Sequence, residues 1–220
     1  MTDSEIYAMV DHTILSAYAA WADVIKICDE AVKYKTASVC IPPSFVKRVH
    51  DNYAGLNICT VIGFPLGYSS AGAKLTEVRQ ALTDGASEFD MVINIGDAKD
   101  KQFTKITDEL AAVKNIVGDK ILKIIIECCY LDEAEKIALC QCVTESGADY
   151  IKTSTGFGTG GATVEDIRLF KNHIGPDVKM KAAGGMRTRD DLITFINLGC
   201  THLGTSSAVK VLSGDAPDGY

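Results

Sequence analysis

Ile121-Leu-Lys-Ile-Ile-Ile126 is apolar at every position but one. A strand with one wet face alternates apolar and polar residues. An unbroken apolar run of this length reads as a parallel strand covered on both faces. Working outward, seven more short β-rich runs recur along the chain: Met9–Leu15, Ala37–Pro42, Asn57–Phe64, Glu88–Ile95, Asp149–Ser154, Asp177–Ala183 and Thr201–Thr205, with the first run extending to Glu127. Segments of helical spacing separate them. Trp21–Tyr34 repeats Val24, Ile27, Cys28 and Ala31 on one face, and Ala73–Asp84, Thr104–Val117, Leu131–Ser146, Val164–His173 and Arg189–Leu198 follow suit. Gly85, Gly118, Gly147, Gly175 and Gly199 fall at or just past the helix ends, where a helix is stopped by a glycine. Eight strands alternating with helices in 220 residues predict a single-domain (β/α)8 TIM barrel, an α/β fold. A doubly wound open sheet is the alternative. No linker or fixed-period repeat divides the chain, so residues 1–212 form the barrel and the breaker-rich segment 213–220 is expected to be a flexible C-terminal tail.

Bulk properties exclude several classes. The net charge is −7 and there is no basic run, which argues against a nucleic-acid partner. No stretch approaches a membrane span. The start, Met-Thr-Asp-Ser-Glu5, is polar and acidic, unlike a secretion signal. The eight cysteines contain no Cys-x-x-Cys and do not cluster with the four histidines, so no metal site is expected. Most lie in apolar runs as small hydrophobes. A domain this long needs no disulfide staples, and a reducing cytoplasm is the expected compartment.

The chemistry concentrates in two lysines. Tyr150-Ile-Lys152-Thr-Ser-Thr-Gly156 and Val178-Lys-Met-Lys181-Ala-Ala-Gly184-Gly185 each place a lysine in an apolar segment that runs into glycines. A buried lysine beside a second ammonium is pushed towards its neutral form, and a neutral amine can form a Schiff base with a carbonyl. Barrel enzymes keep their chemistry at the C-terminal ends of the strands. The polar residues expected there are Asp11, His12, Thr13, Asp90, Lys123 and Glu127. In an extended chain Lys123 and Glu127 share a face, as do Lys179 and Lys181, so charges are expected to meet and neutralise inside the barrel. Asp90 reads as the ion-pair partner of a buried lysine, as a proton shuttle, or as both.

Gly156-Phe-Gly158-Thr-Gly160-Gly161 invites a dinucleotide-binding reading, but it lacks the proper G-x-G-x-x-G ending into a helix. Ala183-Gly184-Gly185-Met186-Arg187 and Gly204-Thr-Ser206-Ser207 fit better as a phosphate cup, with backbone N–H groups and the two serine hydroxyls as donors. Arg187 could add charge there or cap a helix. Cys40 reads as a core thiol that could also face the pocket.

At these residues the chain resembles the deoxyribose-phosphate aldolase family of class I, Schiff-base aldolases. The resemblance runs from Asp11-His-Thr13 to Tyr220 and is most specific at Glu88-Phe-Asp-Met-Val-Ile-Asn94, Tyr150–Gly156 and Lys181-Ala-Ala-Gly-Gly-Met-Arg187. It implies reversible cleavage of 2-deoxy-D-ribose 5-phosphate to acetaldehyde and D-glyceraldehyde 3-phosphate, a step of deoxyribonucleotide catabolism, with no metal or organic cofactor. By the same resemblance, Lys152 is the Schiff-base lysine, Lys181 the second lysine and Asp90 the proton relay. Asp11 positions Lys181, and Thr155 offers a hydroxyl near the reacting carbon. Gly156, Gly184, Gly185, Ser206 and Ser207 match the phosphate loops, and Tyr220 matches a terminal tyrosine that reaches the site in some members. A homo-oligomer, dimer or tetramer, is implied too. Phe157 departs from the pattern, standing where some members carry a phosphate-binding lysine, and Lys179 rivals Lys181 for the second-lysine role. Another Schiff-base barrel enzyme, such as a transaldolase-like transferase, and a non-catalytic sugar-phosphate binding barrel are the alternatives.

Overall fold

In a computed structural model, which describes residues 1–214, the eight apolar runs become eight parallel strands. They are β1 (Val10–Thr13), β2 (Ser38–Ile41), β3 (Ile58–Ile62), β4 (Glu88–Val92), β5 (Ile121–Ile125), β6 (Tyr150–Lys152), β7 (Lys179–Ala183) and β8 (Cys200–Thr205). Each pairs with the next in chain order, and β8 returns to β1 to close the barrel. Closure decides for the (β/α)8 barrel against the open sheet. No edge strand is left to be covered.

Around it lie α1 (Asp3–Tyr7), α2 (Trp21–Tyr34), α3 (Val46–Asn52), α4 (Ala71–Asp84), α5 (Ile95–Lys99), α6 (Phe103–Val117), α7 (Glu133–Glu145), α8 (Val164–His173), α9 (Arg189–Leu198) and α10 (Ala208–Ser213). The six longest match the periodic segments of the sequence. The other four span two turns or fewer, too short for a 3.6-residue period to register. The helix starts are written locally. Asp132 accepts a hydrogen bond from the Glu135 amide while the Glu135 carboxylate accepts one from the Asp132 amide, both at 2.8 Å, and this capping box satisfies two otherwise orphaned donors of α7. Ser213, the first residue of the expected tail, closes α10, and residues 215–220 lie outside the described residues.

The apolar core lies between the barrel and its helices. On β5, Leu122 and Ile124 point outward into that core, while Lys123 points into the barrel, where its ammonium meets Asp11 and Glu88. The same alternation sends Phe89 and Met91 of β4 outward and Glu88 and Asp90 inward. An unbroken apolar run thus hides two environments, an oily exterior layer and a charged interior. None of the described helices is long and apolar enough to cross a membrane.

Phe170 of α8 is fully buried in the outer core. Phe170→Ala should destabilise the protein by about 3–5 kcal/mol through lost burial and the cavity it leaves. Urea unfolding followed by circular dichroism measures this, and an unchanged midpoint would contradict the packing described.

Candidate active site

Strand register brings the charged residues together. Asp90 on β4 lies level with Lys123 on β5, and Lys152 on β6 lies level with Lys181 on β7. Asp90 Oδ2 accepts from Lys152 Nζ at 2.7 Å and from Lys181 Nζ at 2.6 Å. Lys181 Nζ also donates to Asp11 Oδ2 at 2.5 Å. Lys123 Nζ donates to Asp11 Oδ2 at 3.0 Å and to Glu88, and stands 3.3 Å from Asp90 Oδ1. Ser38 on β2 donates to the remaining Asp11 oxygen at 2.8 Å. Three ammonium groups thus interlock with three carboxylates, all buried.

Burial by itself would pull the Lys181 ammonium down, yet Asp11 and Asp90 outweigh it and hold the group above the ordinary lysine range. Lys123 is held up in the same way. Burial would raise Asp11 and Asp90, but the lysines hold both carboxyls below the usual carboxylate range. Lys181 is therefore the lysine enclosed between Asp11 and Asp90.

A pocket of about 460 Å³ opens above this cluster at the C-terminal ends of the strands. Its floor includes Lys152 and Thr155, and its walls include Gly156 to Gly161, Gly184, Gly185, Ser206 and Ser207. Asp90, Lys181 and Asp11 stand behind Lys152, away from the pocket surface. The order from pocket to interior is Lys152, Asp90, Lys181, Asp11. Thr13, Leu15 and Arg187 complete the rim. The Arg187 backbone amide donates to Asp191 at 2.9 Å, at the start of α9.

The glycines allow two loops to touch. A Cβ on Gly161 would lie 2.5 Å from the carbonyl carbon of Gly184, a backbone atom that cannot give way. The loop after β6 therefore packs directly on the loop after β7. Gly184 itself has φ +77, a conformation that favours glycine.

Several expectations change. Lys179 is exposed, its Nζ 5.7 Å from the Tyr150 ring centroid, and it takes no part in the cluster. Lys179 and Lys181 do share a face, level with Tyr150 and Lys152 of β6, with Met180 and Ala182 turned to the outer core between and after them, but Lys179 lies at the exposed N-terminal end of β7. Lys123 does not pair with Glu127. β5 ends at Ile125, and Glu127, at φ 54, turns instead to Thr155. It accepts from the Thr155 amide at 3.1 Å and from Thr155 Oγ1 at 2.5 Å. Burial raises the Glu127 carboxyl, against the hydrogen bonds from Thr155. His12 faces outward, with Nε2 2.7 Å from Glu30 Oε2. Cys40 is buried beside Cys59 and Val61, with Leu15 and Phe64 packed against them. Phe157 is exposed at the mouth, edge-on to Phe64 at 5.4 Å. Tyr220 lies outside the described residues.

The sequence reading missed Glu88, Cys59 and His202. Cys59 Sγ lies 3.2 Å from Asp90 Oδ1, and His202 Nε2 lies 3.7 Å from Asp11 Oδ1. Glu88 could have been found, because it sits two residues before Asp90 and must share its face. The other two looked like ordinary strand residues. Cys40, Cys59 and Asp90 form one group of potential metal ligands, and Asp11, Glu88 and His202 form another. In both, the carboxylates already hold lysine ammonium groups.

These shifts set the pH dependence of stability. Asp11 and Asp90 bind protons more weakly folded than unfolded, so their contribution is complete at neutral pH. It is lost as pH falls below about 4 towards their depressed values. Lys123 and Lys181 hold protons more tightly folded, so their contribution is complete below about pH 10 and lost only above it. The urea midpoint should be highest on a plateau near neutral pH and fall below about pH 4 and above about pH 10. Asp90→Asn should lower the plateau and soften the acid limb. A midpoint that ignores pH down to about 2 would exclude a strongly ion-paired Asp90.

Residues 6–198 match the profile of the DeoC/LacD family of aldolases. The chain is 61% identical over 221 residues to the deoxyribose-phosphate aldolase of Clostridium botulinum (strain Alaska E43), covering 100% of both proteins. It is 53% identical over 216 residues to that of Clostridioides difficile (strain 630), covering 98% of this chain and 99% of the relative. Among solved structures, the tetrameric deoxyribose phosphate aldolase of Aeropyrum pernix superposes with a TM-score of 0.87 at 29% identity, covering 97% of this chain and 92% of that one. With a buried lysine–carboxylate cluster beneath a glycine-walled pocket and full-length relatives of this kind, the chain belongs to the DeoC/LacD aldolase family.

Proposed function

We propose that this protein is a class I aldolase that reversibly cleaves 2-deoxy-D-ribose 5-phosphate to acetaldehyde and D-glyceraldehyde 3-phosphate. The observation that carries this reading is Lys152 itself. Its amine stands at the pocket floor, bound to the same Asp90 oxygen that also binds Lys181. The names of the full-length relatives supply the substrate.

The mechanism follows from the order of groups. Lys152 Nζ, once neutral, attacks the C1 aldehyde of the open-chain sugar phosphate, and loss of water leaves a protonated imine. The imine draws electrons from the C2–C3 bond. That bond breaks as the C3 hydroxyl loses its proton to a water activated through Asp90 and Lys181. Glyceraldehyde 3-phosphate leaves, the enamine is protonated at C2, and hydrolysis of the imine frees acetaldehyde and Lys152. Lys181 lies two hydrogen bonds from the reacting nitrogen, through Asp90. Asp11 positions Lys181.

At the far end of the pocket, Gly156, Gly184, Gly185, Ser206 and Ser207 receive the phosphate through backbone N–H groups and serine hydroxyls. Phe157 contributes apolar wall at the mouth, so the phosphate rests on the backbone cup. Holding the phosphate fixes the register of the chain over Lys152. The tetramer of the Aeropyrum pernix relative supports assembly as a homo-oligomer, dimer or tetramer. All eight cysteines are free thiols, which supports a reducing, cytoplasmic setting.

Incubation with acetaldehyde and borohydride, followed by intact-mass and peptide analysis, should place a reduced two-carbon adduct on Lys152. Lys152→Met should abolish both adduct and turnover while the protein stays folded. An adduct on Lys181 or Lys179 would overturn the roles assigned here, and no adduct on folded protein would favour a binding barrel.

A further inference from the structure

Glu127 is used by none of the steps above, yet its placement is costly. It is buried to 2% exposure and holds a left-handed backbone at φ 54, which a residue other than glycine adopts at an energetic cost. Both its oxygens face Thr155. The Thr155 amide donates to Oε1 at 3.1 Å and to Oε2 at 3.3 Å, and Thr155 Oγ1 donates to Oε2 at 2.5 Å. Gly158 leaves room for this arrangement, since a Cβ there would lie 3.2 Å from the Glu127 carboxyl carbon.

A threonine hydroxyl has one proton and two lone pairs. At Thr155 the proton is committed to Glu127. One lone pair is committed as well, because the Phe157 amide donates to Thr155 Oγ1 at 3.0 Å. Thr155 lines the pocket between Lys152 and Gly156, so what it can offer a bound molecule is a single lone pair.

We infer that Glu127 is a positioning residue that fixes the polarity of the Thr155 hydroxyl, so that Thr155 accepts a hydrogen bond from a substrate hydroxyl and cannot donate one. The inference rests on the aldolase reading, in which the substrate carries hydroxyls between the imine carbon and the phosphate. It makes Thr155 a selector for hydroxylated chains. A site that accepts from a substrate hydroxyl discriminates against a partner lacking it, because the buried acceptor would be left unpaired.

Glu127→Gln tests this with little change in shape. The glutamine oxygen can still take the Thr155 amide, but its NH₂ must then face Thr155 Oγ1 and turn the hydroxyl proton into the pocket. The measurements are kcat/KM for deoxyribose 5-phosphate cleavage, in wild type and in a Thr155→Val background, and borohydride trapping of acetaldehyde on Lys152. Acetaldehyde carries no hydroxyl, so trapping should be unchanged. For the sugar phosphate, Glu127→Gln should lower kcat/KM by roughly 10- to 100-fold, and should have little further effect once Thr155 is valine. Three results would overturn the inference: an unchanged kcat/KM, an equal loss in the Thr155→Val background, or loss of the Lys152 adduct in Glu127→Gln. Absence of an adduct in the wild-type protein would instead sink the aldolase reading on which this rests.

Discussion

Six charges locked inside a closed barrel organise this protein. Barrels of this kind usually fill their interior with layers of branched apolar side chains. Here Asp11, Glu88, Asp90, Lys123, Lys152 and Lys181 occupy much of that space and satisfy one another. Taking such groups out of water is expensive, and buried ion pairs are often no more stabilising than the hydrophobic residues that could replace them. The cluster is better understood as chemistry than as glue. Stability comes from the apolar layer outside the strands, and that layer leaves the interior free to be polar.

Within the cluster, position along the barrel axis sorts otherwise similar residues into roles. Lys123 and Lys181 are fully enclosed and surrounded by carboxylates, three around Lys123 and two around Lys181. Lys152 reaches the pocket and shares Asp90 with Lys181. An amine at the border between a charged interior and a solvent-accessible pocket is held by a carboxylate on one side and has space for an electrophile to approach on the other. The glycine loops set the other boundary. Direct contact between Gly161 and Gly184 draws the ends of β6 and β7 together, so the lysine-bearing strands and the glycine-rich loops form one wall.

The fold was legible because its signal is local and repeated. Val/Ile-rich runs, helical spacing and helix-ending glycines all pointed to the same architecture. Where that signal was too short, as at α1, α3, α5 and α10, the elements went unseen. The site was legible where a charged residue interrupts an apolar run, as Asp90, Lys152 and Lys181 do. Pairings were harder. Lys123 and Glu127 lie four residues apart and should share a face, but the strand ends between them and Glu127 turns to Thr155. Lys179 and Lys181 do share one, but Lys179 sits at the exposed N-terminal end of β7 and Lys181 in its enclosed middle, a difference of depth that the sequence does not show.

By itself, the sequence determined that the chain folds as a barrel of parallel strands and that two lysines and an aspartate interrupt its apolar strands. Both follow from composition and period, which act over a few residues. Only the tertiary structure decided which carboxylate meets which ammonium, which lysine reaches the pocket, and that Glu127 belongs to Thr155. Those contacts join residues up to 170 positions apart. They depend on strand register around a closed ring, a property of all eight strands at once and of none alone.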